Sequence, residues 1–280
     1  MIQKKDQLKP TQPYFVLDTK DFYQEIYLQQ GISHFYSYKI EEDMPLRIVP
    51  DGCIDFFFEY GEKGMQSFVC GTTMEYFCQE RKSTNEVFGV RFMPGAQPWM
   101  LNCRMRELLE HRLPLELVLK RDASRDWLEQ IGEEQDFYQR IRIFLESFTR
   151  EENKSSVLLG KEALVWSVKQ MIYDSGGNIK ISLLQENSGY SSRYINKIFL
   201  EEMGFSPKTF CQILRFQKAL EILNFGGDSS MTDIALALGY YDQPQFIHDF
   251  TRYAGRTPGK YRKLIESKQY QSRIRQDILD

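Results

Sequence analysis

Histidine is scarce in this sequence, and cysteine occurs without the spacings that its chemistry usually needs. The three histidines lie far apart, and the five cysteines include no CxxC pair. This set argues against a zinc ribbon, a His-rich metal site and a disulfide framework. The chain also has no HExxH motif, no phosphate-binding glycine loop and no Ser/His/Asp signature. The sequence therefore predicts no catalytic residue, no metal site and no cofactor.

Long apolar runs are missing as well. No run approaches the roughly 20 residues of a membrane-spanning helix, and the first residues, MIQKKDQLKPTQPYF, lack the apolar segment of a signal peptide. With 280 residues, 42% of them hydrophobic and 14% aromatic, the chain can form two packed cores. We therefore expect a folded cytoplasmic protein with two domains.

The charge is unevenly distributed along the chain. The net charge is −3, but residues 161–280 hold 16 Lys+Arg against 13 Asp+Glu, whereas residues 1–160 hold 20 against 26. The two parts thus differ in sign, at +3 and −6. This difference is compatible with a C-terminal part that faces nucleic acid, although the excess is small by itself.

The first half of the chain has the pattern of a β-rich domain. Seven short aromatic or β-branched segments between residue 14 and about residue 95 are separated by turn residues. They are YFVL, HFYSYKI, LRIVP, CIDFFFEY, QSFVCG, MEYFCQ and VFGVRFM. Apolar residues then recur every three or four positions from Ala123 to Arg150. We predict a small β barrel or sandwich with two flanking helices, which either pack on the sheet, form a subunit interface, or do both.

A polar segment, REENKSSVLLGK from Arg150 to Lys161, separates this half from a helical region. We place the domain boundary there, with a regulatory domain over residues 1–156 and a second domain over 157–280. The predicted fold class is thus α+β with two domains, the second of them all-α. We expect the polar tail after Lys263 to fray.

A repeat dominates the second half. The segment GYSSRYINKIFLEEMGFSPKTF, at 189–210, recurs as GYYDQPQFIHDFTRYAGRTPGKY at 239–261. In each copy a short helix, a glycine turn, a capping residue and a second helix follow one another, which is the order of a helix-turn-helix. The modules span about 180–204 and 230–255. A long helix over 207–223 separates them and would hold them near the 34 Å spacing of successive major grooves.

The second helix of each module presents polar side chains on the face opposite its apolar residues. In the first module Ile195, Ile198 and Phe199 point inward, so Ser192, Arg193, Asn196 and Lys197 face outward. Arginine binds guanine and asparagine binds adenine in bidentate fashion, while lysine supplies a charge to phosphate. In the second module the outward positions include Gln243, Gln245 and His248, with His248 at the position of Lys197. We therefore expect a weaker second module.

This repeat resembles the C-terminal DNA-binding domain of the AraC/XylS family of bacterial transcription regulators. The resemblance lies in GYSSRYINKIF, in GFSP at 204–207, in RFQKALEIL at 215–223 and in DIALALGY with G.TPGKYR, over about residues 165–263. It implies binding to double-stranded promoter DNA and contact with RNA polymerase. By motif position, the DNA contacts are Ser191, Ser192, Arg193, Asn196 and Lys197, followed by Gln243, Gln245 and His248. The family often has Arg or Lys where His248 stands.

The N-terminal half resembles, more loosely, the β-rich regulatory domains of such proteins through RIVPDGCIDFFFEYG and GVRFMPGA. The resemblance implies binding of a small-molecule effector, formation of a homodimer, or both. Candidate effector-binding residues are Tyr36, Tyr38, Arg47, Asp55, Tyr76 and Arg91. Two alternatives remain open, namely control by a protein partner and control by oxidation of Cys70 and Cys78, which we expect on neighbouring strands of a hairpin.

Overall fold

The computed structural model describes residues 8–40, 44–81, 84–121, 125–152, 160–227 and 229–276. The predicted domain boundary between residues 156 and 157 therefore lies outside the described residues. Among these residues the N-terminal part begins with a short helix and seven strands, continues with a second short helix and an eighth strand, and ends with three helices. These elements are α1 (Pro13–Asp18), β1 (Lys20–Gln29), β2 (Ile32–Ile40), β3 (Met44–Ile48), β4 (Asp55–Gly61), β5 (Gly64–Cys70), β6 (Phe77–Arg81), β7 (Thr84–Phe92), α2 (Met105–Leu108), β8 (Arg112–Pro114), α3 (Leu115–Val118), α4 (Asp126–Glu133) and α5 (Phe137–Glu152).

The C-terminal part is helical apart from one short strand at its end. It comprises α6 (Lys161–Asp174), α7 (Ile181–Ser188), α8 (Ser192–Met203), α9 (Pro207–Phe225), α10 (Met231–Ala237), α11 (Gln243–Ala254), α12 (Pro258–Ser267), α13 (Tyr270–Arg273) and β9 (Ile274–Gln276). Helices α7 and α8 coincide with the first predicted module, and α10 and α11 with the second. Helix α9 is the predicted connecting helix, extended by two residues.

The strands form an open, sandwich-like arrangement and not a closed barrel. A seven-stranded sheet has the order β8-β5-β4-β7-β2-β1-β9, and a separate two-stranded sheet pairs β3 with β6. All pairings within the large sheet are antiparallel except that of β1 with β9, which is parallel. The predicted hairpin of Cys70 and Cys78 is not formed, because β5 and β6 belong to different sheets. Both cysteines are free thiols.

Both faces of the large sheet are buried. On β4, Phe56 and Phe58 belong to one apolar cluster, whereas Phe57 between them belongs to another. Consecutive strand residues point to opposite faces, so a strand covered on both faces reads as a continuous apolar run. Helices α4 and α5 cover the first face: the ring centroids of Trp127 and Phe58 are 6.0 Å apart. The predicted packing of this helix pair on the sheet is confirmed.

Three predictions about local structure were wrong. The segment YFVL is helix α1 and not a strand: Pro13 starts the helix, and its buried apolar residues show no period that separates helix from strand. Strand β1 was missed because many of its residues are polar or partly exposed. The tail after Lys263 does not fray within the described residues. Tyr270 is 2% exposed, and β9 adds a strand to the large sheet beside β1.

Candidate nucleic-acid interface

The second helix of the first module, which is the candidate reading helix, is α8. Gly189 ends α7 in the left-handed conformation, with φ at +73°, and thereby turns the chain towards α8. Ser191 caps α8, where its side chain accepts a hydrogen bond from the backbone N–H of Tyr194 at 3.3 Å. Both features were predicted from the repeat. They place the N-terminal end of α8 at the surface with its first backbone N–H groups directed outward.

The polar face of α8 is solvent-exposed. Ser191, Arg193, Asn196 and Lys197 are exposed, and Ser192 is partly buried. On the opposite face Ile195, Ile198 and Phe199 are 0–1% exposed, as predicted. The Nζ atom of Lys197 lies 3.9 Å from Glu201 Oε1, and its side chain is 69% exposed. An exposed pair of this kind contributes little energy, so Lys197 can exchange it for another anion.

Helix α11 of the second module has the same frame. Asp242 caps it by accepting a hydrogen bond from the backbone N–H of Gln245 at 2.8 Å, and Phe246 and Phe250 are buried. The Thr232 hydroxyl of α10 donates to Gln243 Oε1 at 2.8 Å. The amide NH2 of Gln243 is then the group left to act on a ligand, and it can only donate hydrogen bonds.

The two reading helices differ in charge at their leading ends. Helix α8 carries two cations, Arg193 and Lys197, within its first six residues and is capped by a neutral serine. Helix α11 is capped by an aspartate and has Gln245 and His248 among its exposed residues, without a lysine or arginine before Arg252. Cations determine most of the affinity of a protein for the phosphate backbone. The geometry is thus duplicated while the electrostatics are not.

Two exposed tyrosines at the leading ends were missed from the sequence. Tyr190 directly precedes the cap of α8 and is 47% exposed, and Tyr241 directly precedes the cap of α11 and is 91% exposed. The ring of Tyr190 stacks on that of Tyr194, with centroids 5.3 Å apart and an interplanar angle of 25°. The available signal was an aromatic residue before the cap in both copies of the repeat.

Three of the six candidate effector-binding residues lie together in the interior of the N-terminal part. The Arg91 guanidinium binds both carboxylate oxygens of Asp55 at 2.9 Å, and the Tyr36 hydroxyl donates to Asp55 at 3.2 Å. Asp51 Oδ2 lies 3.7 Å from Arg91 Nη2, the same nitrogen that donates to Asp55 Oδ2. Burial raises the pKa of Asp55 from 3.8 to about 6 against the opposing effect of Arg91. These polar groups are mostly satisfied by one another.

Of the other three candidates, Tyr38 packs against this cluster, whereas Arg47 and Tyr76 belong to a separate group around Tyr14. The ring of Tyr38 stacks parallel to that of Tyr36, with centroids 6.0 Å apart. Arg47 is paired with Asp18 and lies 4.2 Å above the ring of Tyr14, which Tyr76 contacts from another direction. A role for any of the six residues in binding an effector stays a prediction. A small cavity beside Arg91, lined also by Gln24, His34, Tyr36 and Tyr270, has room for about one water molecule.

Other kinds of site find no support in the described residues. Within them no group of three or more His, Cys, Asp or Glu side chains is arranged to hold a metal ion. In the same part of the chain, no helix combines the length and the apolar content that crossing a membrane requires.

The fold and the paired reading helices define a DNA-binding transcription regulator. A family model described as a helix-turn-helix domain matches residues 184–264, and a second, described as a domain of unknown function (DUF6597), matches residues 25–114. The chain is 30% identical over 102 residues to the probable transcription factor PqrA of Proteus vulgaris, over 36% of this chain and 81% of that protein. The chain therefore belongs to the AraC family of transcription regulators.

Other relatives match less of their own length or are more distant. The Msm operon regulatory protein of Streptococcus mutans is 26% identical over 136 residues, which is 47% of each chain. The chain thus spans about half of that relative. Among solved structures, ToxT from Vibrio cholerae O395 has a TM-score of 0.41 at 12% identity, covering 85% of this chain and 99% of that one.

Proposed function

We propose that residues 157–280 bind promoter DNA with α8 as the main reading helix, and that residues 1–156 control this binding. One observation supports the proposal above the others. The leading ends of α8 and α11 are exposed and polar, whereas their far ends, at Gly204 and Gly255, pack against the N-terminal part. DNA can therefore approach the reading ends without displacing that part.

Each exposed residue of α8 has a distinct proposed role. Arg193 and Asn196 read base edges in the major groove, because both side chains can form bidentate hydrogen bonds there. Lys197 binds a phosphate, and Ser191 and Ser192 are close enough to the helix start to donate to the backbone as well. This assignment makes the first module the source of most of the affinity and of the salt dependence.

The second module contributes contacts of a different kind. Gln243 donates from its amide NH2 to an acceptor on a base edge, since its carbonyl oxygen is already bonded to Thr232. Gln245 and His248 supply further hydrogen bonds, and Tyr241 at the leading end contacts the sugar-phosphate backbone. These neutral groups add specificity but little electrostatic affinity.

The proposal can be tested by selecting bound sequences from a random DNA pool with the full chain and then measuring variants on the selected site. We expect Arg193→Ala to cost about 1–3 kcal/mol and to relax the preference at one base. Lys197→Ala should weaken binding to all sequences and reduce the slope of log affinity against log salt by about 1. Lys63→Ala is the matched control, because it removes an exposed lysine of the N-terminal part, in the hairpin of β4 and β5. Unchanged affinity in both α8 variants would refute the assignment.

For the N-terminal part we propose control through its contacts with the C-terminal part, set by a small effector or by homodimerisation. The cluster of Tyr36, Asp55 and Arg91 is the proposed effector-sensitive region, because Tyr36 and Arg91 line a small cavity together with Tyr270 of the C-terminal part. RNA polymerase is the proposed partner on the promoter. Measurement of subunit number with and without DNA, and thermal-shift screening of metabolites, distinguish dimerisation from effector binding. If both measurements show no change, the alternative is control by a protein partner or by oxidation of Cys70 and Cys78.

A further inference from the structure

The two helix-turn-helix modules belong to two separate apolar clusters. The first cluster contains Ile195, Ile198 and Phe199 of the first module together with Phe35 and Phe88 on one face of the large sheet. The second cluster contains Phe246 and Phe250 of the second module together with residues on the opposite face, such as Tyr38 and Phe57. Among the described residues, each module therefore shares a core with the N-terminal part and not with the other module.

Helix α9 crosses from one cluster to the other. Near its start, the Phe210 ring lies 5.9 Å from that of Phe199. Further along, the Phe216 ring lies 5.3 Å from the rings of both Phe250 and Tyr253. The relative position of α8 and α11 thus depends on α9 and on whatever the N-terminal part fixes at each module.

The N-terminal part contacts both modules at the same point of the repeat. Gly204 ends α8 and Gly255 ends α11, each in the left-handed conformation, with φ at +82° and +69°. A Cβ on Gly204 would lie 3.0 Å from Arg106 Cα in α2 and 3.1 Å from Leu109 Cδ2 just after it, and one on Gly255 would lie 2.8 Å from the ring of Tyr76. Glycine is favoured at each position for two reasons: the left-handed backbone conformation, and the N-terminal residues that occupy the space a Cβ would need.

Polar contacts reinforce both points. At the second module the Tyr14 hydroxyl donates to the carbonyl oxygen of Ala254 at 2.7 Å, and Arg252 pairs with Glu75 at 2.9 Å. At the first module Arg104 lies 3.5 Å from Glu202. Three side chains of the N-terminal part, each near Tyr76 or Leu109, thus hold the far ends of the two reading helices.

We propose that Leu109 and Tyr76 are positioning residues that set the separation of α8 and α11, and with it the spacing between the two half-sites that the chain reads. The inference rests on the proposed function, because it requires both modules to meet DNA. Two major-groove segments on one face of the duplex lie about 34 Å apart. A protein whose two modules are held at a fixed separation binds poorly when the half-sites are moved by one base pair, whereas a protein with loosely held modules tolerates that change better.

The test uses the full chain and the site selected by the wild type from random DNA. Affinity is measured for that site and for versions with one base pair added or removed between its halves. We expect the wild type to lose about tenfold in affinity on the altered sites, and the double variant Leu109→Ala/Tyr76→Ala to lose at least threefold less. Leu117→Ala, which truncates a 78% exposed leucine of the N-terminal part, is the control and should keep the wild-type ratio.

Folding is checked separately, so that a collapsed variant does not count as support. Each variant must show a cooperative thermal transition, and Tyr76→Phe, which keeps the ring on Gly255, should keep the wild-type spacing ratio. An unchanged ratio in a folded double variant overturns the inference, and so does a selected site with a single half. If no sequence is enriched at all, the proposed function fails instead.

Discussion

Replacement of Gln217 by leucine should loosen the junction between the two parts of the chain. Gln217 lies in the middle of α9, and its side chain is 0% exposed. Its amide nitrogen donates to the carbonyl oxygens of Pro50 at 2.8 Å and of Thr11 at 3.2 Å. Its carbonyl oxygen accepts from the backbone N–H of Thr11 at 2.8 Å. One side chain of the connecting helix thus satisfies three backbone groups of the N-terminal part.

The expected magnitude follows from what leucine leaves behind. Its volume is similar to that of glutamine, so packing is retained, but one donor and two acceptors of the backbone lose their partner. A hydrogen bond contributes about 1 kcal/mol net, and an unsatisfied buried group costs about 1–3 kcal/mol. Added burial of apolar surface offsets part of the loss. We therefore expect Gln217→Leu to lower the free energy of unfolding by about 2–4 kcal/mol.

Urea unfolding followed by circular dichroism measures this difference, with the slope against denaturant checked for each protein. Lys218→Leu is the matched control, because the neighbouring residue is exposed on the same helix and should change stability by less than about 0.5 kcal/mol. A loss below about 1 kcal/mol for Gln217→Leu would refute the reasoning, since it would mean that these three backbone groups find other partners at no cost.

Three further outcomes are expected. Burial raises the pKa of Asp55 from 3.8 to about 6. Between these pH values the folded protein keeps a proton on Asp55 that the unfolded chain has released, so the free energy of unfolding should fall by about 3 kcal/mol as the pH rises through this window. The same pH series on Asp55→Asn should lack that fall. His248→Arg should tighten DNA binding and steepen the salt dependence by about one phosphate contact in a salt titration. Arg273→Ala removes hydrogen bonds to the carbonyl oxygens of Val16 and Thr19 and should lower the melting temperature, measured by thermal unfolding.

The sequence predicted what depends on local signals. Caps at Ser191 and Asp242, the left-handed glycine after α7 and the buried faces of α8 and α11 all follow from residues within one helical turn or two. Duplication made the pattern unambiguous, because the same frame recurred with different exposed residues. The candidate DNA contacts were predicted from that frame and from the family resemblance, and the structure leaves most of them at the surface.

The rest depends on contacts between distant segments. Helix α1 reads as a strand because its apolar residues form an unbroken run, and β9 pairs with β1, which is far away in the chain. The segments PDG and MPGA have the composition of local turns, yet Gly52 and Gly95 in them both lie against Phe210 of α9. Nothing within either motif indicates a helix so far away in the chain.

The difference in charge between the two reading helices has a consequence for how they act together. A module whose leading end carries an aspartate cap and few cations gains little from the phosphate backbone by itself. When it is held at a fixed distance from a module with Arg193 and Lys197, its binding becomes intramolecular, and the first module bears the loss of translational freedom. Under the proposed function, weak neutral contacts from Gln243 and Gln245 then discriminate between sequences. The contacts at Gly204 and Gly255 therefore decide whether the second module contributes to specificity.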